Sequence, residues 1–260
     1  MAINFDALKK KLDSFQGRNS TRDLMWRPTE GEESVVRLIA YPNNDGLPFA
    51  ERWFYYKIGR GGILAPSQFG KPDPINELHQ KLRNSNDDAQ RELASKLRAK
   101  VRYYAPVVVR GEEEKGVRLW AFSKTVYQSL ANFMLGEFGD ITDIDAGHDV
   151  AVSSSKPPGR QWATTSVMPR IAKTPLTTNA THAKQWLNAL PNLDEIYQLQ
   201  SYEEIESIVN NWLNMPEDSS NDGSYRGSTN TTSTANDETA PEMDSFSKKF
   251  NDLSDAFKGL

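Results

Sequence analysis

Side-chain character alternates along two neighbouring segments near the middle of the chain, residues 98–109 and 117–124. Alternate side chains of a strand point to opposite faces, so each segment predicts one mainly small or apolar face and one face of cations and rings. The predicted face of cations and rings consists of Arg98, Lys100, Arg102, Tyr104, Arg118, Trp120, Phe122 and Lys124. Single-stranded nucleic acid needs cations for phosphates and flat rings for bases. The pattern therefore favours a nucleic-acid-binding hairpin, and the alternative is a solvated hairpin whose rings pack under a helix.

The periodicity of the remaining chain predicts a mixed α+β domain. Period-two patterns and turn residues predict strands at 35–40, 49–58, 100–109, 117–123, 150–154 and 161–167. Helical spacing predicts helices at 74–83, 87–97, 125–138, 181–190 and 202–213. Asp73 before Pro74 is a helix start signal, and Ser201 with Glu204 forms a capping box.

Both ends of the chain differ from this central domain, which we place at residues 22–214. Residues 1–21 form a basic amphipathic arm, with Phe5, Leu8, Leu12 and Phe15 at helical spacing and Lys9, Lys10 and Lys11 opposite them. Residues 215–243 are rich in Pro, Ser, Thr, Asn and Asp, which is typical of a disordered linker. Residues 244–260 restore one apolar helix face, formed by Phe246, Phe250, Leu253 and Phe257. This stripe predicts an anchor for a partner protein on the linker, and transient docking on the chain's own domain is the alternative.

Charge is distributed unevenly along the 260 residues, although the net charge is only −4. Residues 52–124 contain fifteen Lys and Arg against eight Asp and Glu, a net charge of +7, whereas residues 215–260 carry −5. This asymmetry is typical of a nucleic-acid-binding body with an acidic tail. Cysteine is absent, which excludes disulfides and thiol chemistry. No apolar run or charged leader indicates a membrane span or secretory signal, so we expect a cytosolic protein.

Three segments resemble the gene-32-type single-stranded-DNA-binding proteins of tailed bacteriophages. They are Val35-Val36-Arg37-Leu38 leading into Asn43 to Ala50, Lys100 to Val109, and Val117 to Lys124 running into a helix. The resemblance covers most of residues 1–215 in order, spacing and residue type. It implies an OB-fold core that binds single-stranded DNA, an arm that contacts the next protomer, and a tail that binds proteins of replication, recombination and repair. It also implies that the protein acts in the cytoplasm of the infected bacterial host, without catalysis and without a cofactor.

The resemblance assigns roles to individual residues of this chain. It puts the basic and aromatic DNA-contacting motif on Arg98, Lys100, Arg102, Tyr103 and Tyr104, with Trp120 as the ring on the return strand. Arg118, Phe122 and Lys124 extend that surface. The basic arm is either Lys9 to Lys11 or the cluster around Arg18 and Arg22, and the two alternatives stay open.

The chain departs from the family pattern in one segment. Zinc-binding members use one His and three Cys in the part that corresponds to residues 59–82, where this chain has His79 and no Cys. We therefore expect a zinc-free variant in which apolar packing takes over: Leu64, Phe69, Ile75, Leu78 and Leu82.

Other patterns leave alternatives open. On the strand at 49–58, Trp53, Tyr55 and Lys57 line one face and Phe54, Tyr56 and Ile58 the other, and either set is a candidate for DNA; we assign the first. The carboxylates of Asp140, Asp143, Asp145 and Asp149 suggest a turn, and the enzymatic alternative is a metal-dependent nuclease. A third alternative is an OB-type RNA-binding regulator. Coating of single-stranded DNA without chemistry is the function that the sequence favours.

Overall fold

A computed structural model describes residues 23–42, 44–59, 61–159 and 162–214 of the chain. The predicted arm, linker and tail lie outside these residues. So do the residues assigned to protomer contact and to partner binding, which are Lys9, Lys10, Lys11, Arg18, Arg22, Phe246, Phe250, Leu253 and Phe257.

The strands are β1 (Met25–Trp26), β2 (Glu33–Leu38), β3 (Ala50–Tyr55), β4 (Ile63–Leu64), β5 (Lys100–Val109), β6 (Arg118–Phe122), β7 (Gly147–Ser155) and β8 (Thr164–Thr174). Most lie where the alternating pattern predicts them, and β5 has the predicted bounds. The pattern missed the two-residue strands β1 and β4. It also ended β8 seven residues early, because Pro169, Arg170 and Lys173 interrupt the apolar alternation.

The helices are α1 (Pro74–Arg83), α2 (Asp88–Lys96), α3 (Lys124–Leu135), α4 (Ala180–Asn188), α5 (Leu193–Ile196) and α6 (Tyr202–Leu213). The Asp73 carboxylate caps α1 by accepting from the amides of Ile75 and Asn76. The predicted capping box of Ser201 and Glu204 is present at α6. The single-turn helix α5 was not predicted, because four residues are too few to show a helical period.

The chain forms two compact units. Among the described residues, the first contains those from 23 to 54 and from 100 to 199, and the second contains those from 55 to 99 and from 200 to 214. The hydrophobic pattern predicts one core over 22–214 and gives no sign of this division, because each unit is assembled from segments that are distant in sequence.

Strand β5 organises the sheet of the first unit, whose strand order is β1-β6-β5-β2-β7-β8. One edge of β5 pairs with β6, and the other edge pairs with β3 over residues 100–104 and with β2 over residues 107–109. All these pairs are antiparallel, and only β1 runs parallel to β6. The predicted α+β class with an OB-like sheet is confirmed.

The register between β5 and β6 decides which side chains are enclosed. Tyr103 lies opposite Phe122, and Ala105 lies opposite Trp120. Opposing residues share a face of the sheet, so Trp120 and Phe122 lie on the Tyr103 side, while Lys100 and Arg102 lie on the other side. The predicted single face of cations and rings is therefore wrong, because alternation along one strand does not fix its register with the next.

The rings of β6 belong to the core of the first unit. Trp120 is 2% exposed and meets Trp26 edge-on at 5.4 Å, and Phe122 meets Phe49 edge-on at 5.5 Å. Apolar side chains of β2, β5, β7 and α3 complete this core: Val36, Leu38, Ala105, Val107, Val109, Val126, Leu130, Val150 and Val152. The assignment of Trp120 and Phe122 to bound bases is thus wrong, since neither ring has a face accessible to a base.

Tyr104 is also buried, on the opposite face of the sheet. It is 2% exposed and lies 5.4 Å from the ring of Tyr197, which also meets Phe54 at 5.0 Å. The prediction that Tyr104 stacks on a base is therefore wrong, because the segment after α5 covers this part of the sheet.

Within the second unit, α1 packs against α2 and α6. The buried residues include Ile75, Leu78 and Leu82 of α1 and Ile205, Val209 and Leu213 of α6. The spacing of three and four between them places each set on one helix face. None of the helices in the described ranges has the length and apolar character needed to cross a bilayer.

We predict that Trp120→Ala lowers the free energy of unfolding by about 3–5 kcal/mol, because it removes a large ring from a closed core. The midpoint of urea denaturation measures this loss. Trp162→Ala is the matched control, since that ring is 71% exposed and its loss costs little stability. Equal midpoints for the two variants would contradict the burial of Trp120.

Candidate nucleic-acid interface

Three half-exposed rings of the first unit lie on one side of the sheet and form the aromatic surface, which we define as Trp53, Tyr103 and Tyr127. Trp53 and Tyr103 lie on adjacent strands β3 and β5, on the same face as Phe122. Tyr127 comes from the first turn of α3 and stacks on Tyr103, with ring centroids 4.1 Å apart and planes 20° from parallel. Phe122 is also nearly parallel to Tyr103, at 6.3 Å and 21°. A row of parallel rings therefore runs from the buried core to the surface.

Polar contacts and packing fix the rings of this surface. The Trp53 indole Nε1–H donates to the Glu51 carboxylate Oε1 at 2.9 Å. Burial raises the pKa of the Tyr103 hydroxyl, and the nearby charge of Glu51 and a hydrogen bond to it act in the same direction. Phe49 meets Tyr127 edge-on at 6.2 Å. The rings are thus held in place before any ligand binds, which lowers the entropy cost of stacking.

Lys124 supplies a cation next to the aromatic surface. It is the first residue of α3, and the three-residue spacing puts it on the same side of the helix as Tyr127. The first turn of α3 contains no acidic residue, and the hydroxyl of Ser123 caps its amides. The positive end of the helix dipole adds to the lysine charge, so the potential here favours a phosphate.

The predicted cations of β5 lie on the other face of the sheet. Lys100 and Arg102 are exposed, and Arg102 lies opposite Arg52 of β3. Arg52 forms an ion pair with Asp194 at 2.8 Å. The sheet therefore separates these cations from the rings of Tyr103 and Trp53, which the sequence predicts as parts of one surface.

Arg118 is tied into the protein rather than presented to a ligand. Its guanidinium pairs with Glu112, in the turn between β5 and β6, and its side chain is largely buried. The predicted contact of Arg118 with a phosphate is wrong while this ion pair is formed, because breaking the pair would leave the largely buried guanidinium without its partner.

The second unit contains three predicted DNA-contacting residues, of which two are accessible. Lys57 and Arg98 are exposed. Tyr55 is 3% exposed and donates its hydroxyl proton to Asp73 Oδ2 at 2.8 Å. The assignment of Tyr55 to a DNA contact is therefore wrong, since its ring is buried and its hydroxyl is hydrogen-bonded to Asp73.

The segment that would correspond to a zinc site is held by Asp73 and by apolar packing. Asp73 is buried and accepts hydrogen bonds from Tyr55, from the amide of Ser67 and from the first turn of α1. Leu64, Ile75, Leu78 and Leu82 are buried, whereas Phe69 is exposed. His79 has its pKa lowered by burial and by the charges of Arg83 and Arg98. The sequence has no Cys, so the residues present do not fit the zinc site of zinc-binding members.

The acidic residues at 140–149 belong to a loop anchored by a buried arginine. Arg37 of β2 is fully buried and donates to the carbonyls of Ile141, at 3.2 Å, and Asp143. Gly147 is required beside it, because a Cβ there would collide with the guanidinium. Asp140 and Asp143 accept hydrogen bonds from nearby loop amides. Asp149 pairs with Arg110 at 2.8 Å.

This loop offers no support for a nuclease. Two-metal hydrolysis needs carboxylates that converge on one point from separate elements. Across the described ranges, no group of three or more His, Asp or Glu side chains is placed to hold a metal ion.

Sequence reasoning missed Tyr127 as part of the interface. Tyr127 lies in a predicted helix between Val126 and Leu130 of the core, and such a position is typical of a packing residue. The available signal was its place three residues after Lys124 in a first turn without acidic residues.

We predict that the stability of the folded protein falls as the pH rises above about 10, the ordinary pKa of tyrosine. Burial, and then the Asp73 carboxylate, raise the pKa of Tyr55, so the folded state holds this proton more tightly than the unfolded chain does. The stabilisation is full below pH 10 and is lost as the pH approaches the folded-state pKa.

Tyr55→Phe tests this origin. It should cost about 1–3 kcal/mol at pH 7, because Asp73 loses a donor, and it should make the alkaline decline shallower. Urea midpoints between pH 7 and 11 measure both effects, with the more exposed Tyr56→Phe as control. An alkaline decline as steep as that of the wild type would show that Tyr55 is not its source.

Comparison with known protein families assigns the chain to one of them. The family model described as gp32 DNA binding protein like matches residues 30–214, which is more than half of the chain. A search of curated proteins finds no match. The matched range contains both described units except for the first residues before β2. The chain therefore belongs to the gene-32-type family of DNA-binding proteins.

Proposed function

We propose that this protein coats single-stranded DNA cooperatively and with little sequence preference, in phage DNA replication, recombination and repair. The observation that carries the proposal is the aromatic surface beside Lys124, in a chain of a DNA-binding family. Rings stack on any base because every base has a π-face, whereas sequence readout needs hydrogen bonds to base edges. Binding of this kind involves no chemistry and no cofactor.

In this mode, bases extend the row of rings that starts in the core. A base that stacks on Tyr127, at the outer end of the row, or on Trp53 gains about 1–3 kcal/mol, and Tyr103 supports the Tyr127 ring from below. Lys124 then meets the phosphate that accompanies the stacked base. Lys100 and Arg102 on the outer face, and Lys57 and Arg98 on the second unit, are the further predicted phosphate contacts.

The two ends of the chain have separate roles in the proposal. The arm at 1–21 contacts the neighbouring protomer through Lys9, Lys10 and Lys11 or through Arg18 and Arg22, which turns modest single-site affinity into filament growth. The linker at 215–243 carries the segment 244–260, whose apolar stripe binds replication and recombination proteins. Support for both comes from residue pattern and family resemblance.

We predict that Tyr103→Ala and Tyr127→Ala each weaken binding to oligodeoxythymidine by about 1–3 kcal/mol, because Tyr127 is a stacking ring and Tyr103 is the ring that holds it in place. Quenching of tryptophan fluorescence on titration measures the affinity. Trp162→Ala is the control, since it removes an exposed ring elsewhere on the first unit. Equal losses of affinity in all three variants would extend the binding surface to the β7–β8 hairpin. Tighter binding of a structured RNA than of oligodeoxythymidine would favour the alternative of an RNA-binding regulator.

The salt dependence identifies the face that the phosphates follow. Each phosphate contact contributes about −0.7 to the slope of log affinity against log salt concentration. Lys124→Glu should flatten the slope by about that amount, and a double reversal at Lys100 and Arg102 serves as the comparison for the opposite face. A larger effect from the double reversal would move the strand to the outer face.

Deletion of residues 1–21 should leave the affinity for an oligonucleotide of one site size nearly intact and strongly weaken binding to long strands, where neighbours touch. Deletion of residues 244–260 is the matched control: it should keep DNA affinity within about tenfold and abolish capture of replication proteins. Equal losses on short and long DNA would make the arm a DNA contact.

A further inference from the structure

A carboxylate lies at the centre of the aromatic surface. Glu51 of β3 is two residues before Trp53 and directly across from Tyr103. Its Oε1 accepts from the indole of Trp53 at 2.9 Å, and, beyond the effect of burial, its charge lies close enough to the Tyr103 hydroxyl to raise the pKa of that group. Alternation and register place all three side chains on one face of the sheet.

This position is electrostatically unfavourable for a protein that binds a polyanion. A charge about 4 Å from a phosphate is repelled by about 1 kcal/mol in bulk water and by more near a protein surface. A neutral side chain would avoid that penalty. A carboxylate at this position must therefore contribute a free energy that exceeds this repulsion.

We propose that Glu51 is a positioning residue for DNA binding: it holds the Trp53 ring, by accepting from the indole N–H, in the orientation in which a base stacks on it. The inference rests on the proposed function, because it concerns the same surface. The neighbouring Tyr103 is held by the stacked ring of Tyr127.

The mechanism is a reduction in the entropy cost of binding. A half-exposed indole can turn about two side-chain torsions, and a bound base would have to immobilise it. A hydrogen bond already formed in the free protein removes most of that cost. Indole N–H is a donor only, so an acceptor at the position of Glu51 is the group that the ring requires.

The conservative substitution Glu51→Gln separates positioning from charge. Glutamine keeps an oxygen that accepts from the Trp53 N–H and loses the negative charge. We expect Glu51→Gln to keep affinity for oligodeoxythymidine within about threefold and Glu51→Ala to weaken it about tenfold, which is part of the stacking energy of one base. The matched control Glu137→Ala removes an exposed carboxylate outside this surface and leaves affinity unchanged.

A spectroscopic measurement reports on the hydrogen bond itself. The indole N–H resonance of Trp53, assigned with Trp53→Phe, should exchange faster with solvent in Glu51→Ala and remain protected in Glu51→Gln. Trp53→Phe keeps a ring and lacks the N–H, so its weaker binding tests the proposal even if Glu51→Ala fails to fold.

Three results would overturn the inference. Tighter binding by both Glu51 variants would show that the carboxylate only repels phosphate. Equal weakening by both would show that its charge, and not its acceptor oxygen, matters. Wild-type affinity in folded Glu51→Ala would make its role structural. By contrast, wild-type affinity in Tyr103→Ala and Trp53→Ala would reject the proposed binding surface itself.

Discussion

The pairing of β5 with β6 is the constraint on which the first unit depends. Because opposing residues share a face, the pair Tyr103 and Phe122 sends the rings of β6 into the core and leaves Lys100 and Arg102 in solvent. A one-residue shift of β6 would turn Trp120 and Phe122 out of this core, and a one-residue shift of β5 would turn Lys100 and Arg102 into it, where burial of an unpaired charge is costly. Only one register satisfies both faces of the sheet.

The same register produces the candidate interface. The parallel rings of Phe122, Tyr103 and Tyr127 connect the core to the surface, so the exposed end of the row rests on a rigid base. Stacking on single-stranded DNA needs rings that are accessible and already oriented, and core packing supplies the orientation. The cations of β5 lie behind the sheet, whereas Lys124 and the start of α3 place positive charge on the side of the aromatic surface.

The second unit shows how a buried carboxylate and apolar helices organise a segment that lacks a zinc site. Asp73 joins Tyr55, the amide of Ser67 and the start of α1. Every one of these donors is polar and would cost free energy if it were buried without an acceptor. Leu78 and Leu82 of α1, with Val209 of α6, add the apolar contacts that a small unit needs.

The sequence alone determined most of the elements and the family, because local patterns carry both. The bounds of β5, α1 and α6 and the caps at Asp73 and Ser201 follow from residues that are close together in the chain. Tertiary structure alone decided which rings are accessible: Trp120, Phe122 and Tyr104 are enclosed, and Tyr127 joins the surface. The reason is physical, since burial depends on strand register and on packing partners distant in sequence, which alternation along a single strand does not specify.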